Sequence, residues 1–325
     1  MRRRSVAVWA GLLVSGVFVW LSLRDIDFGR VGAALRDASY WTLAPALLVL
    51  AAATVVRAVR WQVLFDPRTR PPLAAVTHAM LIGLLFNAIL PARAGEAARV
   101  LALWREAGTS RAEALATAVA ERVYDVFVLL VLLFVAAPFL PEVSWLGKAA
   151  AVAAAVAAGI AFTVFVVLRW EERPLVWLLR RLPRTGLLPL GRAELAASNL
   201  VHGLASFRRP AIALQAFMLT VVSWLLLGLS AWLLLLGFHL GSTGYGAGLL
   251  SMIATTLALV LPAAPAGVGP FEATSIAALS VFGVDRSHAL SYGLVLHVVN
   301  VLPFVLAGYV ALQRHAGAVR IRRAG

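Results

Sequence analysis

Long apolar runs alternate with short polar stretches along the whole chain. The runs at 5–23, 42–59, 114–138, 149–168, 211–236 and 288–312 are each close to or above the roughly 20 residues that a helix needs to cross a bilayer. Two more runs, 73–90 and 246–261, are also oily, but each stops at a proline and is followed by a helix too short to span, 95–104 and 270–282. Between the first two runs, Phe28, Val31, Leu35 and Ala38 recur at helical spacing with Arg30, Arg36 and Asp37 off that face. This pattern predicts a short helix lying on the membrane surface. Tyr40 and Trp41 then mark an interface. A second stripe of this kind, Ala193, Ala196, Leu200, Leu204 and Phe207, lies in the polar stretch 169–210.

The two interrupted runs share a plan. The first reads Asn87-Ala88-Ile89-Leu90-Pro91-Ala92-Arg93-Ala94-Gly95-Glu96, the second Pro262-Ala263-Ala264-Pro265-Ala266-Gly267-Val268-Gly269-Pro270-Phe271-Glu272. Pro91, Pro262 and Pro265 break the incoming helix, and Gly95, Gly267 and Gly269 let backbone come close to a ligand. The simplest geometry is a helical hairpin that enters and leaves on one side. Irregular backbone at membrane depth survives only where protein or a watery cavity surrounds it.

Composition fits the pattern: 62% of the 325 residues are hydrophobic and 14% charged, against about 45–50% and about 25% in soluble domains. The expected fold is therefore an all-α integral membrane protein of about six full spans and two re-entrant hairpins. The absence of cysteine excludes disulfides, thiolate metal sites and Cys nucleophiles. The net charge of +14 comes from 28 arginines and Lys148. Such an excess could serve nucleic acid, but retention of basic residues in cytoplasmic loops explains it, so no nucleic-acid partner is expected. With the N-terminus inside and both interrupted runs as hairpins, 21 basic residues fall inside and five outside. Arg93, Arg99 and Arg122 remain at membrane depth. The start, Arg2-Arg3-Arg4 before an apolar run, looks like a signal peptide, but the run exceeds the usual 7–15-residue core and ends in Leu23-Arg24-Asp25. It reads as a retained span. The chain is then one polytopic membrane domain with both termini cytoplasmic. Its halves, 1–138 and 148–315, repeat one order of spans and hairpin with opposite orientation, and the second carries a cytoplasmic insert at 169–210. Inverted repeats with broken helices in matching places point to a transporter with its site at mid-membrane.

Charges at membrane depth cost about 2.5–3.5 kcal/mol each on insertion scales, and they persist when paired or lining a polar cavity. Arg93, Glu96, Arg99, Glu121, Arg122, Asp125 and Glu272 are the candidates. Glu96 and Arg99 share a helix face, as do Glu121 and Asp125. Two roles stay open: mutually satisfied pairs that hold the bundle, or the lining of a substrate path. Each short helix also turns its free N–H groups and positive dipole end toward the interior, which favours an anion such as phosphate. Asn87, His297, Asn300, Arg57 and Arg60 are secondary candidates, and helix-to-helix hydrogen bonding is the first reading for the first three. The remaining histidines are scattered, so no metal is expected. Neither a phosphate-binding Gly-Lys loop nor a Ser/His/Asp arrangement is visible, so no cofactor and no enzyme activity are expected.

Taken together, Arg57-Ala58-Val59-Arg60-Trp61, the segment 87–99, Ala120-Glu121-Arg122-Val123-Tyr124-Asp125 and the segment 265–272 resemble the flippase-like family, the lysylphosphatidylglycerol synthase transmembrane region. The resemblance covers nearly the whole chain, in order. It implies movement of a phospholipid or lipid-linked headgroup between leaflets of the bacterial inner membrane. The family's best-known members carry a soluble domain that makes the lipid from aminoacyl-tRNA. The 325 residues leave no room for it, so synthesis is not implied, and a separate synthase is a possible partner. The alternatives are a membrane-embedded transferase acting on lipid-linked substrates, or a non-catalytic anchor for a synthase.

Overall fold

The computed structural model describes residues 2–24, 26–90, 94–136, 209–258 and 264–324, with isolated positions between 151 and 169. The expected span at 149–168 and the insert at 169–210 lie almost wholly outside the described residues, as do Pro91, Arg93 and Pro262. Among the described residues every long element is a helix: α1 (Arg2–Leu23), α2 (Phe28–Asp37), α3 (Leu43–Val63), α4 (Leu73–Ile89), α5 (Gly95–Ala107), α6 (Arg111–Ala136), α7 (Pro210–Gly237), α8 (Gly244–Ala258), α9 (Pro270–Ser280) and α10 (Arg286–Ala324). Three segments, Tyr40–Val63, Pro210–Gly237 and Arg286–Arg314, are long and apolar enough to cross a membrane on length and composition alone. The chain is an all-α membrane protein.

Local chemistry sets the ends. Asp27 caps α2 by accepting from the backbone N–H groups of Gly29 and Arg30. Gly108, at φ 69°, closes α5 in the left-handed conformation and donates its N–H to the Trp104 carbonyl. Pro270 occupies the first turn of α9, where its missing N–H costs nothing. One expectation changes here. The apolar stripe of α2 faces protein, because Val31 and Ala38 are buried in the main core and Ser291 of α10 donates to the Val31 carbonyl. Only Phe28, 63% exposed, fits the predicted surface helix.

Among the described residues the largest helix contact is α3 on α7. Ser39 N–H donates to the Gly237 carbonyl at one end, Ser230 Oγ to the Ala46 carbonyl in the middle, and Arg209 pairs with Asp66 at 3.0 Å at the other end. The two helices are therefore antiparallel, and they define two ends of the bundle. The 66–70 loop, Arg209 and the start of α6 share one end, where Glu113 accepts from the Asp66 N–H and the Thr69 hydroxyl. There the Arg68 backbone N–H, followed by Arg209, holds the Asp66 carboxyl below the usual range. The opposite end gathers Leu21, Asp27, Ser39, His239 and the start of α10: Arg286 reaches the Leu21 carbonyl, Ser287 Oγ accepts from the Asp27 N–H, and His239 meets the Asp37 carbonyl.

Helices α4 and α5 form an antiparallel hairpin. His78 meets Glu106 at 2.9 Å near its open end, and Asn87 Oδ1 accepts from the Gly95 N–H near its tip. Its open end adjoins the 66–70 loop. The pair α8 and α9, which also pack together, opens at the other end, since α8 follows Leu240 and α9 leads into Arg286. The two interrupted segments thus enter the bundle from opposite ends. Small residues make this fit possible. A Cβ on Gly95 would lie 1.9 Å from the Gly83 carbonyl oxygen and 2.5 Å from Asn87 Oδ1, and one on Gly308 of α10 would lie 2.4 Å from the Leu81 carbonyl oxygen of α4.

Gly95→Ala should accordingly destabilise the fold by about 1–3 kcal/mol or more through overpacking. Gly16→Ala, with nothing within 4 Å of the added atom, should leave the thermal unfolding midpoint in detergent unchanged.

Candidate functional site

Helix α6 brings Glu121, Arg122 and Asp125 to one level, α3 brings Arg60 from its last turn, and α5 brings Glu96 and Arg99 from its first. Six of these side chains close a ring of alternating charge. Arg60 pairs with Glu121 and with Asp125, both at 2.5 Å. Glu121 continues to Arg99 at 2.7 Å, and Arg99 Nε to Glu96 at 2.7 Å. Glu96 then meets Arg122 at 2.5 Å, and Arg122 returns to Asp125 at 3.4 Å. Neutral groups complete the inner side: Thr220 of α7 accepts from Arg60 Nη1 at 3.2 Å, and Trp224 Nε1 donates to Asp125 at 3.2 Å. The Arg99 guanidinium lies 4.5 Å over the Trp61 ring, and the Trp61 indole N–H is held by Thr117.

The ring has a closed side and an open side. The side chains of Arg60 and Glu121 are 0% and 1% exposed, whereas those of Glu96 and Arg122 are 27% and 39% exposed. Glu121 stands ten residues into α6, about 15 Å from its start at 1.5 Å per residue. Arg57 lies one turn before Arg60 and close enough to feel the charges of Asp125 and Glu121, so among the described residues the local balance is one positive charge in excess. Among the described residues, Arg99 Nη2 is buried without a hydrogen-bond partner.

The second break is built differently. Ala266, Gly267 and Gly269 have φ of 59°, 80° and 97°, a left-handed stretch that only glycine adopts without strain. Pro265–Gly267 makes a single tight turn. Ser15 of α1 pins it by accepting from the Ala264 N–H at 2.7 Å. Glu272 caps α9 by accepting from the Gly269 N–H at 2.7 Å, and its other oxygen meets His297 Nδ1 at 2.5 Å. The opposite nitrogen, His297 Nε2, faces the Ala266 carbonyl at 3.2 Å, and Phe271 stacks on the ring with centroids 4.3 Å apart.

The predicted residues thus divide into two groups. Glu96, Arg99, Glu121, Arg122 and Asp125 come together as one ring. Glu272 stands apart from it, joined to His297. Arg60, a secondary candidate, is the hub of the ring, and Asn87 caps the tip of the first hairpin. Asn300 donates to the Leu296 carbonyl in its own helix and joins neither group. Arg93, Pro91 and Pro262 lie outside the described residues. The free N–H groups expected at the breaks are partly used within the fold, since Gly95 donates to Asn87 and Gly269 to Glu272. Sequence reading placed Trp61 in a motif without a role and missed Thr117, Thr220 and Trp224. Mid-span Thr and Trp residues on neighbouring helices are the only trace that they leave.

A family model described as the lysylphosphatidylglycerol synthase TM region matches residues 8–308. A UPF0104 membrane protein of Methanothermobacter thermautotrophicus is 24% identical over 320 residues, which cover 95% of this chain and 92% of the relative. No solved structure matches.

Burial sets the cost of breaking the ring. Arg60→Met leaves Glu121 and Asp125 short of a counter-charge in a dry site and should cost about 3–5 kcal/mol. Arg122→Gln, at the more exposed edge, leaves Glu96 with Arg99 and Asp125 with Arg60 and should cost less. Thermal unfolding of the two purified variants in one detergent checks the order, and equal losses would contradict it.

Proposed function

The chain belongs to the lysylphosphatidylglycerol synthase transmembrane-region family, and from that premise we propose that it moves a phospholipid or lipid-linked headgroup between the leaflets of the bacterial inner membrane. The observation that carries this reading is the open edge of the charge ring. At mid-depth Glu96 and Arg122 pair where the ring is exposed, next to the surplus charge of Arg57. A headgroup phosphate exchanges with Glu96 for Arg122 and Arg57, and a cationic portion exchanges with Arg122 for Glu96. The swap keeps every charge paired, so a polar headgroup finds counter-charges at the level where lipid tails offer none. The buried side, Arg60 and Arg99 with Glu121 and Asp125, stays closed and keeps α3, α5 and α6 in register. Two hairpins that open at opposite ends suit a path reached alternately from each side.

In vesicles reconstituted with a headgroup-labelled anionic phospholipid, Glu96→Gln and Arg122→Gln should each slow transfer to the outer leaflet by about tenfold or more while the protein stays folded, the loss of one charge-assisted contact being about 1.5–3 kcal/mol. Unchanged transfer would favour an anchoring role for the ring.

Orientation follows from the same reading: N- and C-termini are cytoplasmic, and so is the 66–70 loop. The chain has no native cysteine, so single substitutions report sides directly. Thr69→Cys should be protected from an impermeant thiol reagent in intact cells, and Ser242→Cys should be labelled. The reverse pattern would invert the topology.

A further inference from the structure

We propose that the second helix break is a proton-binding site, in which Glu272 and His297 share one proton whose release frees the turn at 266–269 from α10. The hydrogen bonds around the pair fix the proton count. The Ala266 carbonyl can only accept, so His297 Nε2 carries a hydrogen. The Gly269 N–H can only donate, so Glu272 Oε2 accepts. Between Nδ1 and Oε1, 2.5 Å apart, one proton is needed. With it the pair is neutral overall, whichever atom holds it. Without it, two lone pairs face each other and a net negative charge is left at a site where Glu272 is 8% exposed, as is His297. Buried charge of that kind is strongly disfavoured without a partner.

Among the described residues, neither Glu272 nor His297 pairs with another charged group; of the other helices packed on α10, α5 holds Glu96 and Arg99 in the ring and α2 pairs Arg30 with Asp27. Helix α9 carries Glu272 alone, and α8 carries only Tyr245, which donates to the Leu225 carbonyl. The described side chains of α1, 13–23, include none. In α4, which packs on the turn, His78 is engaged by Glu106. In α10, His288 faces Asp285 and Tyr292 donates to the Ala231 carbonyl. Arg286 lies about 16 Å from His297 along the helix, eleven residues at 1.5 Å each. Tyr309 and Arg314 lie beyond His297, about 18 Å or more along α10.

His297 is the contact through which α10 holds the strained turn by way of Ala266. On release, the proton passes to water, the imidazole keeps its Nε2 hydrogen and the carboxylate keeps its cap on Gly269. The repulsion then parts α9 from α10. The sign follows: the contact is closed at low pH and opens as pH rises. This inference does not depend on the lipid-transfer reading, because its test reads protonation and opening directly.

Ser275, one turn beyond Glu272, is fully buried and would touch a Cβ on Gly293 of α10. Ser275→Cys therefore places the chain's one thiol in this interface. Its alkylation rate in the purified full-length protein, divided by the rate of the same thiol in an E272Q background, removes the thiol's own ionisation. The neutral amide cannot lose a proton, so the ratio should rise about tenfold per pH unit below the midpoint, the slope of one proton, and level off above it. A flat ratio overturns the proposal. Should E272Q fail to fold, nitrogen-15 NMR of histidine-labelled protein with the native Glu272 serves, with His297 assigned by its loss in His297→Gln. Nε2 should stay protonated across the range while Nδ1 alone changes. Tautomer exchange like that of free imidazole would equally refute the shared proton.

Discussion

Charge matching in a medium that cannot solvate charge governs this molecule. Six ionised groups from three helices meet in one ring, and each has an opposite charge on both sides. In water such pairs contribute about 1 kcal/mol or less. In a dry site the gain from pairing barely offsets the desolvation of both partners, but removing one partner is expensive. The ring therefore acts less as glue than as a filter on arrangement. Helices α3, α5 and α6 can pack only where Arg60, Arg99 and the α6 carboxylates all find one another. Thr220 and Trp224 extend the same demand to α7, so one polar network sets the register of four helices.

A common rule links the two halves. In each, an acid in the first turn of the short helix pairs with a base on the long helix that follows: Glu96 of α5 with Arg122 of α6, and Glu272 of α9 with His297 of α10. Those bases stand eleven residues into their helices, which start at opposite ends of the bundle. Both pairs therefore lie about 16 Å from an end. The chemistry differs where the geometry agrees. Arginine keeps its charge at every physiological pH, whereas histidine titrates within that range. One pair is a fixed part of a larger network, and the other is isolated with a single proton.

Much of this was legible in the sequence because apolar periodicity and proline position are local signals. The helices expected at 42–59, 73–90 and 211–236 appear as α3, α4 and α7 with ends within a few residues. Charge at membrane depth picked out the ring, since Glu96, Arg99, Glu121, Arg122 and Asp125 have no inexpensive place in hydrocarbon. Arg60 was harder to place. At the end of a run, beside Trp61, it looks like an interfacial residue that snorkels to water, and only the position of α6 turns it inward. The α2 stripe misled for a related reason. Moderate amphipathicity marks a helix with one dry side, and lipid and protein are equally dry. Thr220 and Trp224 could not be foreseen, because their roles depend on α7 lying against α3 across a long stretch of sequence.

Small residues make the polar design possible. Between helices in a bilayer no hydrophobic effect drives contact, so close backbone approach has to come from packing and polar bonds. Gly83, Gly95 and Gly308 bring α4, α5 and α10 to distances at which one added carbon would collide with a carbonyl oxygen. That approach draws the first turn of α5, with Glu96 and Arg99, against α4 and within reach of α6. Were α5 pushed outward by even a methyl group, Arg99 would have to stretch across to Glu121 or leave it to Arg60 alone. The glycines and the charges are thus two halves of one constraint: the first set the spacing, and the second penalise any other.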